Sequence, residues 1–441
     1  MIRARYGRSA VVLLGVLGVA VLWNAARYPL GLGYDARNHV DYLVGLIEHG
    51  ALPDGTGEYY TPPLFYALAG VVWKVGGFVG LSEPLRLVQL FDGGLAIGAA
   101  VLLLELARTV FPGRRRLHVL ALVFFIASAI VLKTAAMVHP ETLSMVLALA
   151  ALVVAARMLT SSSFGIRPAV VLGVLLGAGQ LVRAFSLWTF AVVVLTFTAA
   201  AVAKTGMRRP ILRALAIAVV GAAVVAAPWY AYQATRYTNP IFDRPQVATP
   251  LWERRPASFY LDSGFPDVIA RPYRDNFLNR FWPTVYAEWW GDYFGHFAWN
   301  ASDSDTPPRS EARDLVLQSV TGLLPTALMI GGWLGLFAAT LRRRVLVEAP
   351  ERLLVCLLPL AGLAGLLYFC VSYPTADGDV IKATYMLTTV PCWALCFGLA
   401  AERIAGWLPR TLRPAAMALA VAFVVVGVRY GLYGRALGGL L

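Results

Sequence analysis

The chain has 441 residues, 59% of them hydrophobic and only 14% charged, with a mean hydropathy of +0.65. A water-soluble chain of this length divides into domains with alternating polar faces, whereas apolar runs of membrane-crossing length recur here, which excludes that class. The net charge of +13 would suit nucleic acid, but the clusters Arg3/Arg5/Arg8, Arg114–Arg116, Lys204/Arg208/Arg209/Arg213 and Arg342–Arg344 sit in short links between apolar runs, where Lys and Arg mark the cytoplasmic face.

Lipid admits only helices or closed barrels, and these runs are too long for barrel strands. The expected fold class is therefore an all-α polytopic membrane protein, a single integral membrane domain over residues 1–441. With the N-terminus inside, hydropathy and the basic links place about eleven spans. They fall at 9–29, 84–108, 117–135, 141–158, 168–183, 185–203, 212–230, 314–340, 352–372, 384–401 and 413–433. Alternation supports the assignment: even-numbered spans end near Arg114–Arg116, Arg157, Lys204, Arg342–Arg344 and Arg403. The first run mimics a secretory signal, but Trp23-Asn24 is a poor cleavage context, so it reads as an uncleaved anchor. "PPLFYALAGVVWKVGGFVG" (Pro62–Gly80) is apolar enough to tempt a further span. Counting it would put Arg114–Arg116 outside, so it reads as an interfacial or re-entrant helix opened by Pro62 and Pro63. A helix over Asp35–His49 is expected to lie beside it on the membrane surface.

The outer segments are then residues 30–83, the Lys133–Glu141 turn, the long stretch 231–313 and the Ser372–Lys382 loop. The long stretch is rich in aromatics, unlike a disordered linker. Cys356, Cys370, Cys392 and Cys396 all fall in apolar runs and read as packing residues rather than a disulfide framework. No internal repeat is visible, which weakens a transporter built from inverted halves.

The polar residues of interest converge on the outer edge. "GYDARNHVDYL" (Gly33–Leu43) packs Asp35, Arg37, His39 and Asp41 together at the end of the first span, with Asp35 and His39 on one helical face. His139-Pro140-Glu141 supplies a second histidine and acid in an outer turn, although Glu141 also suits a helix N-terminus. A divalent cation held by Asp35, His39, His139 and Glu141 is chemically possible, but the spacing matches no metal signature and no cofactor is demanded. Arg183 and Lys382, with Arg37, are cations at an outer boundary where the charge bias disfavours them. A bound phosphate accounts for them, and snorkelling to headgroups is the alternative for Lys382. In "RFWPTVYAEWWGDYFGHF" (Arg280–Phe297), Trp289 and Trp290 with Glu288, Asp292 and His296 can line a sugar- or lipid-binding crevice, or decorate the interface as aromatics commonly do.

"YDARNHVDYL", "EYYTPPLFYALAG", "HPE", "EWWGDYFG" and "IKATYMLTTVP", in that order over nearly the whole chain, resemble the glycosyltransferase C superfamily. Within it the chain is similar to bacterial relatives of protein O-mannosyltransferases and of the lipid A aminoarabinose transferase. The resemblance implies an enzyme of the cytoplasmic (inner) membrane that moves a sugar from a polyprenyl-phosphate donor to an acceptor hydroxyl, usually with inversion, at the outer face. It makes Asp35 the catalytic base and Glu141 the secondary acid. It makes Pro62-Pro63-Leu64 part of the cavity wall, and sets Lys382 and Tyr385 near the donor phosphate. His39, Glu58 and His139 fall around the same cavity. Many relatives carry two adjacent acids in the first outer loop; here Ala36 follows Asp35. The partners implied are the lipid-linked donor, membrane lipids and an acceptor that is a glycan, lipid or protein. Two other readings remain open: a transporter or flippase of a lipid-linked sugar, and a glycan polymerase or ligase using a pyrophosphate-linked donor.

Overall fold

The computed structural model describes residues 7–55, 57–237, 247–297, 306–375 and 378–434. Arg3, Arg5 and the parts of the long outer stretch at 238–246 and 298–305 lie outside the described residues. Among those described, every regular element is helical. Among the described residues, nine helices are long and apolar enough to cross a membrane, or ten if a bent pair is one span. They are Arg8–Arg27, Leu85–Val110, Glu141–Ser161, Ala184–Ala203, Thr205–Arg236, Arg309–Thr340, Arg352–Ser372, Ala383–Trp407 and Arg410–Tyr430, with the pair Arg115–Ala127 and Ala129–Ala136. The protein is an all-α polytopic membrane protein.

Two differences from the expected eleven spans have physical causes. The run 117–135 is not one straight span but two helices meeting at 54°. Ser128 is extended (φ −73°, ψ 107°), which ends the first helix, and its backbone N–H and hydroxyl both donate to the Phe124 carbonyl, at 3.0 and 2.8 Å. The run 168–183 is a 15-residue helix, Ile166–Gln180. At 1.5 Å per residue it is about 22 Å long, short of the roughly 30 Å of hydrocarbon a span must cross. Pro62–Gly80 contains the helix Leu64–Phe78, also 15 residues and too short to span. The surface helix is Ala36–His49.

Close helix contacts run through glycine. Ile166–Gln180 lies on Arg208–Arg236, and a Cβ at Gly173 would stand 2.6 Å from the Ala218 carbonyl oxygen, one at Gly177 2.8 Å from that of Ala222. Small residues four apart let backbones approach where lipid supplies no hydrophobic drive for association. Gly332 faces the Cys396 carbonyl even more closely, joining Arg309–Thr340 to the Val390–Trp407 helix. Gly332→Val therefore forces two backbones apart, and overpacking of this kind costs about 1–3 kcal/mol. Thermal melting in detergent is the check: a lowered midpoint is expected, and an unchanged one means that these helices do not need this distance.

At one end of the bundle, Arg157 reaches Glu105 at 2.7 Å and Arg114 pairs with Glu402, so links between different spans are tied together. At the other end Ala36–His49 packs on Leu64–Phe78, with Tyr42 and Tyr66 stacked at 3.7 Å between ring centres. The backbone N–H of Leu64 donates to the Leu181 carbonyl at 2.9 Å, which fastens this surface pair to the segment after the short helix.

Candidate active site

Five segments meet at that second end. Asp35 precedes the Ala36–His49 helix in the left-handed region (φ 49°), after Gly33 at φ 126°, where a Cβ would meet the Met137 sulfur at 2.5 Å. This tight, strained entry aims the Asp35 carboxylate at Lys382, whose Nζ donates to Oδ2 at 2.8 Å. The Lys382 side chain is 5% exposed and that of Asp35 33%. The ammonium also faces Asp379 at 3.5 Å. Lys382 thus lies on a carboxylate rather than extended to headgroups.

A second ion pair is deeper. Arg183 is held in extended backbone after the short helix. Its Nε donates to Glu141 Oε1 at 2.6 Å and its Nη1 to Thr61 Oγ1 at 3.0 Å, with Glu58 at 3.7 Å. Thr61 in turn donates to Glu58 Oε2 at 2.6 Å. The guanidinium stands 5.4 Å from the Tyr385 ring, which stacks on Phe185. His39 Nδ1 meets the Tyr66 hydroxyl at 2.6 Å, and its ring is edge-on to His139 at 4.6 Å. The His139 backbone N–H donates to Asp92 Oδ2 at 3.2 Å, pinning the His-Pro-Glu turn.

The electrostatics follow from burial and pairing. Burial works against the Asp35 carboxylate, but Lys382 more than offsets it, with His39 and Arg183 adding to the effect, and Asp35 sits below its ordinary value. Glu58 is likewise held low: His39 and Arg183 outweigh burial. Burial opposes both cations, but Glu141, with Tyr385 and Glu58, raises Arg183, and Tyr385, Asp35 and Asp379 raise Lys382. Burial keeps His39 below its usual range and His139 well below it, so both are neutral near pH 7. The arrangement thus offers an ionised, partly open carboxylate beside a buried ammonium and guanidinium that flank one tyrosine.

Of the other residues expected at the site, Arg37 is exposed. Trp289 and Trp290 are each 3% exposed within the main core. Trp290 fits against Phe124, Phe423 and Gly322, and its Nε1 donates to Thr326. Asp292 lies beside Lys133, which is a buried residue of the bent span and not part of an outer turn. Lys133, Thr61, Tyr66 and Asp92 escape a reading of the sequence. Asp92 and Lys133 are the two with a signal, each a charge inside an apolar run.

Asp35, His39, His139 and Glu141 do gather in one region, but not as metal ligands. Asp35 and Glu141 each hold a side-chain cation and His39 holds a tyrosine hydroxyl. Among the described residues no three His, Cys, Asp or Glu side chains converge as a ligand set. A divalent ion does not fit these donors as arranged.

No protein-family model matches the chain, and no curated protein matches it in sequence. Solved structures do match in shape. ArnT from Cupriavidus metallidurans bound to undecaprenyl phosphate superposes with a TM-score of 0.53 at 16% identity, over 97% of this chain and 75% of that one. The Archaeoglobus fulgidus oligosaccharyltransferase AglB, in complex with an inhibitory peptide and a dolichol-phosphate, gives 0.59 at 11% identity, over 98% and 56%. In complex with zinc and sulfate the A. fulgidus enzyme gives 0.58 at 13%, over 96% and 53%. The chain has the glycosyltransferase C fold. It spans about half the length of the archaeal proteins it matches.

Proposed function

We propose that the protein is a membrane glycosyltransferase that moves a sugar from a polyprenyl-phosphate donor to an acceptor hydroxyl, with inversion, at the outer face of a bacterial cytoplasmic membrane. The single observation that carries this reading is the Asp35–Lys382 pair at the edge of the site, with the Arg183 guanidinium close enough to act on Asp35 and 5.4 Å from the Tyr385 ring. The ArnT and AglB structures hold undecaprenyl phosphate and dolichol-phosphate, which supports a lipid-phosphate donor.

In this proposal the donor phosphate enters between Lys382 and Arg183, takes a share of the ammonium, and frees Asp35. Asp35 then accepts the acceptor's hydroxyl proton as that oxygen attacks the anomeric carbon from the face opposite the phosphate. The new C–O bond forms while the bond from the anomeric carbon to the phosphate oxygen breaks. The negative charge that grows on the departing polyprenyl phosphate is stabilised by Lys382, Arg183 and the Tyr385 hydroxyl. Glu141 keeps Arg183 in place, and Glu58, His39 and His139 form the polar wall around the sugar. Neutral histidines suit that wall, since they add no competing charge.

The test is release of polyprenyl phosphate by the purified full chain from a panel of polyprenyl-phosphate monosaccharides, with membrane extract as acceptor and with or without a chelator. Release from one donor, insensitive to the chelator, is expected. Lys382→Ala should weaken donor affinity by about tenfold or more, the worth of a charge-assisted contact. Binding without release from any monophosphate donor points to transport, and release only from pyrophosphate-linked glycans to a polymerase or ligase.

A further inference from the structure

One buried charge cluster takes no part in that chemistry. Lys133, Glu288 and Asp292 have side chains 1%, 0% and 4% exposed. The Lys133 ammonium donates to the Glu288 carboxylate and, at 3.2 Å each, to the backbone carbonyls of Glu288 and Gly291, with Asp292 Oδ1 at 3.5 Å. The two carboxylates hold the same turn from the other side: Phe294 N–H donates to Glu288 at 3.3 Å and Phe297 N–H to Asp292 at 2.7 Å. Replacing a buried ion pair by apolar residues is often neutral or stabilising, so stability alone gives little reason for such a cluster.

The rest of the Ala129–Ala136 helix and the residue just past it supply a reason. Thr134 Oγ1 meets Thr384 Oγ1 at 3.2 Å, two residues beyond Lys382. Met137, just past the helix, fills the space under Gly33, two residues before Asp35. The Tyr34 ring lies 5.3 Å from the Lys133 ammonium itself. One short half-span therefore touches the immediate neighbours of both members of the Asp35–Lys382 pair while its lysine grips the long outer segment.

We infer that Lys133 is a positioning residue: by tying the Ala129–Ala136 half-span to the Glu288–Asp292 turn, it sets Asp35 against Lys382 and makes docking of the outer segment a condition of activity. The inference rests on the transfer reading for its catalytic part, and Lys133 itself touches no substrate.

Two variants test it. Lys133→Met with Glu288→Gln and Asp292→Asn removes the cluster without stranding either carboxylate's charge, and Thr134→Val removes only the hydroxyl bridge. With wild-type melting temperatures, kcat for donor release is expected to fall about 10–100-fold in the first and about 3–10-fold in the second, with donor KM within about threefold, as for a misplacement of the reacting groups. A purely structural role leaves kcat per folded molecule unchanged, and wild-type kcat in both variants overturns the inference. Hydrogen exchange in detergent reads the same clamp without turnover. Faster exchange at residues 33–39 and 379–388 in the variant that removes all three charges supports it, and unchanged exchange overturns it. A wild-type protein that releases nothing from any donor sinks the transfer reading, while the exchange result still decides whether the clamp exists.

Discussion

Asp35→Asn is expected to lower donor turnover by about two to four orders of magnitude, the usual loss when a general base is removed. The amide keeps the shape but cannot take a proton, and it still accepts one bond from Lys382, so donor binding should survive. Undiminished release of polyprenyl phosphate by the variant removes Asp35 from the mechanism. The pH dependence follows from Lys382. A base must be ionised, so activity is present above the Asp35 pKa and lost as pH falls through it. Lys382 holds that pKa below the ordinary carboxylate value, so the acidic limb of kcat/KM, which reports the free enzyme, should lie low. Once a donor phosphate shares the ammonium, less of its charge acts on Asp35. The acidic limb of kcat should therefore lie at higher pH than that of kcat/KM. Coincident limbs mean that Lys382 does not pass from carboxylate to phosphate. A pH series from about 3 to 8 at saturating and at limiting donor separates the two.

Arg183→Met should damage both stability and transfer. Glu141 is fully buried and its Oε2 lacks a hydrogen-bond partner, so the carboxylate depends on Arg183 at Oε1. Removing one member of a buried pair costs about 3–5 kcal/mol, because the other is left as an uncompensated charge. A large drop in melting temperature in detergent is expected. Arg183→Met with Glu141→Leu should recover most of that drop, since the charge left behind is gone, yet recover no donor release. Recovery of release in the double variant assigns Arg183 a packing role alone. A single variant as stable as wild type shows that Glu141 is protonated without its partner.

Much of the bundle is legible from hydropathy and the basic links. Helices such as Leu85–Val110 and Arg352–Ser372 begin and end within a few residues of the apolar runs 84–108 and 352–372, and the run after Pro62-Pro63 is a short helix. The break at Ser128 is not legible, because neither proline nor glycine marks it and the apolar pattern continues through. The short helix before Arg183 is apolar apart from Arg167 near its start and Gln180 at its end, so hydropathy alone reads it as one more span. At the site, Asp35, His39, His139, Glu141, Arg183 and Lys382 stand out as charges at the edges of apolar runs, and they are brought together. Their pairing is another matter: Asp35 and Lys382 are 347 positions apart, and nothing local says which acid meets which cation. Trp289 and Trp290 show the converse limit. An aromatic run reads alike whether it lines a crevice or fills a core, and only the seating of Trp290 between Phe124 and Phe423 distinguishes them for that ring.

The shortness of the Ile166–Gln180 helix bears on where a lipid-borne substrate can be handled. A helix about 22 Å long beside neighbours that cross some 30 Å leaves roughly 8 Å of the bilayer's depth without it on one side. Arg183 follows directly where that helix stops. The apolar slab is in effect thinned at this spot, and bilayers deform around such mismatches at modest cost. On the transfer proposal, a phosphate on a long isoprenoid would sink below the plane of its neighbours to reach the guanidinium while its tail stayed among the acyl chains. Bulk water would be scarce at that depth, and an activated sugar there would be shielded from hydrolysis.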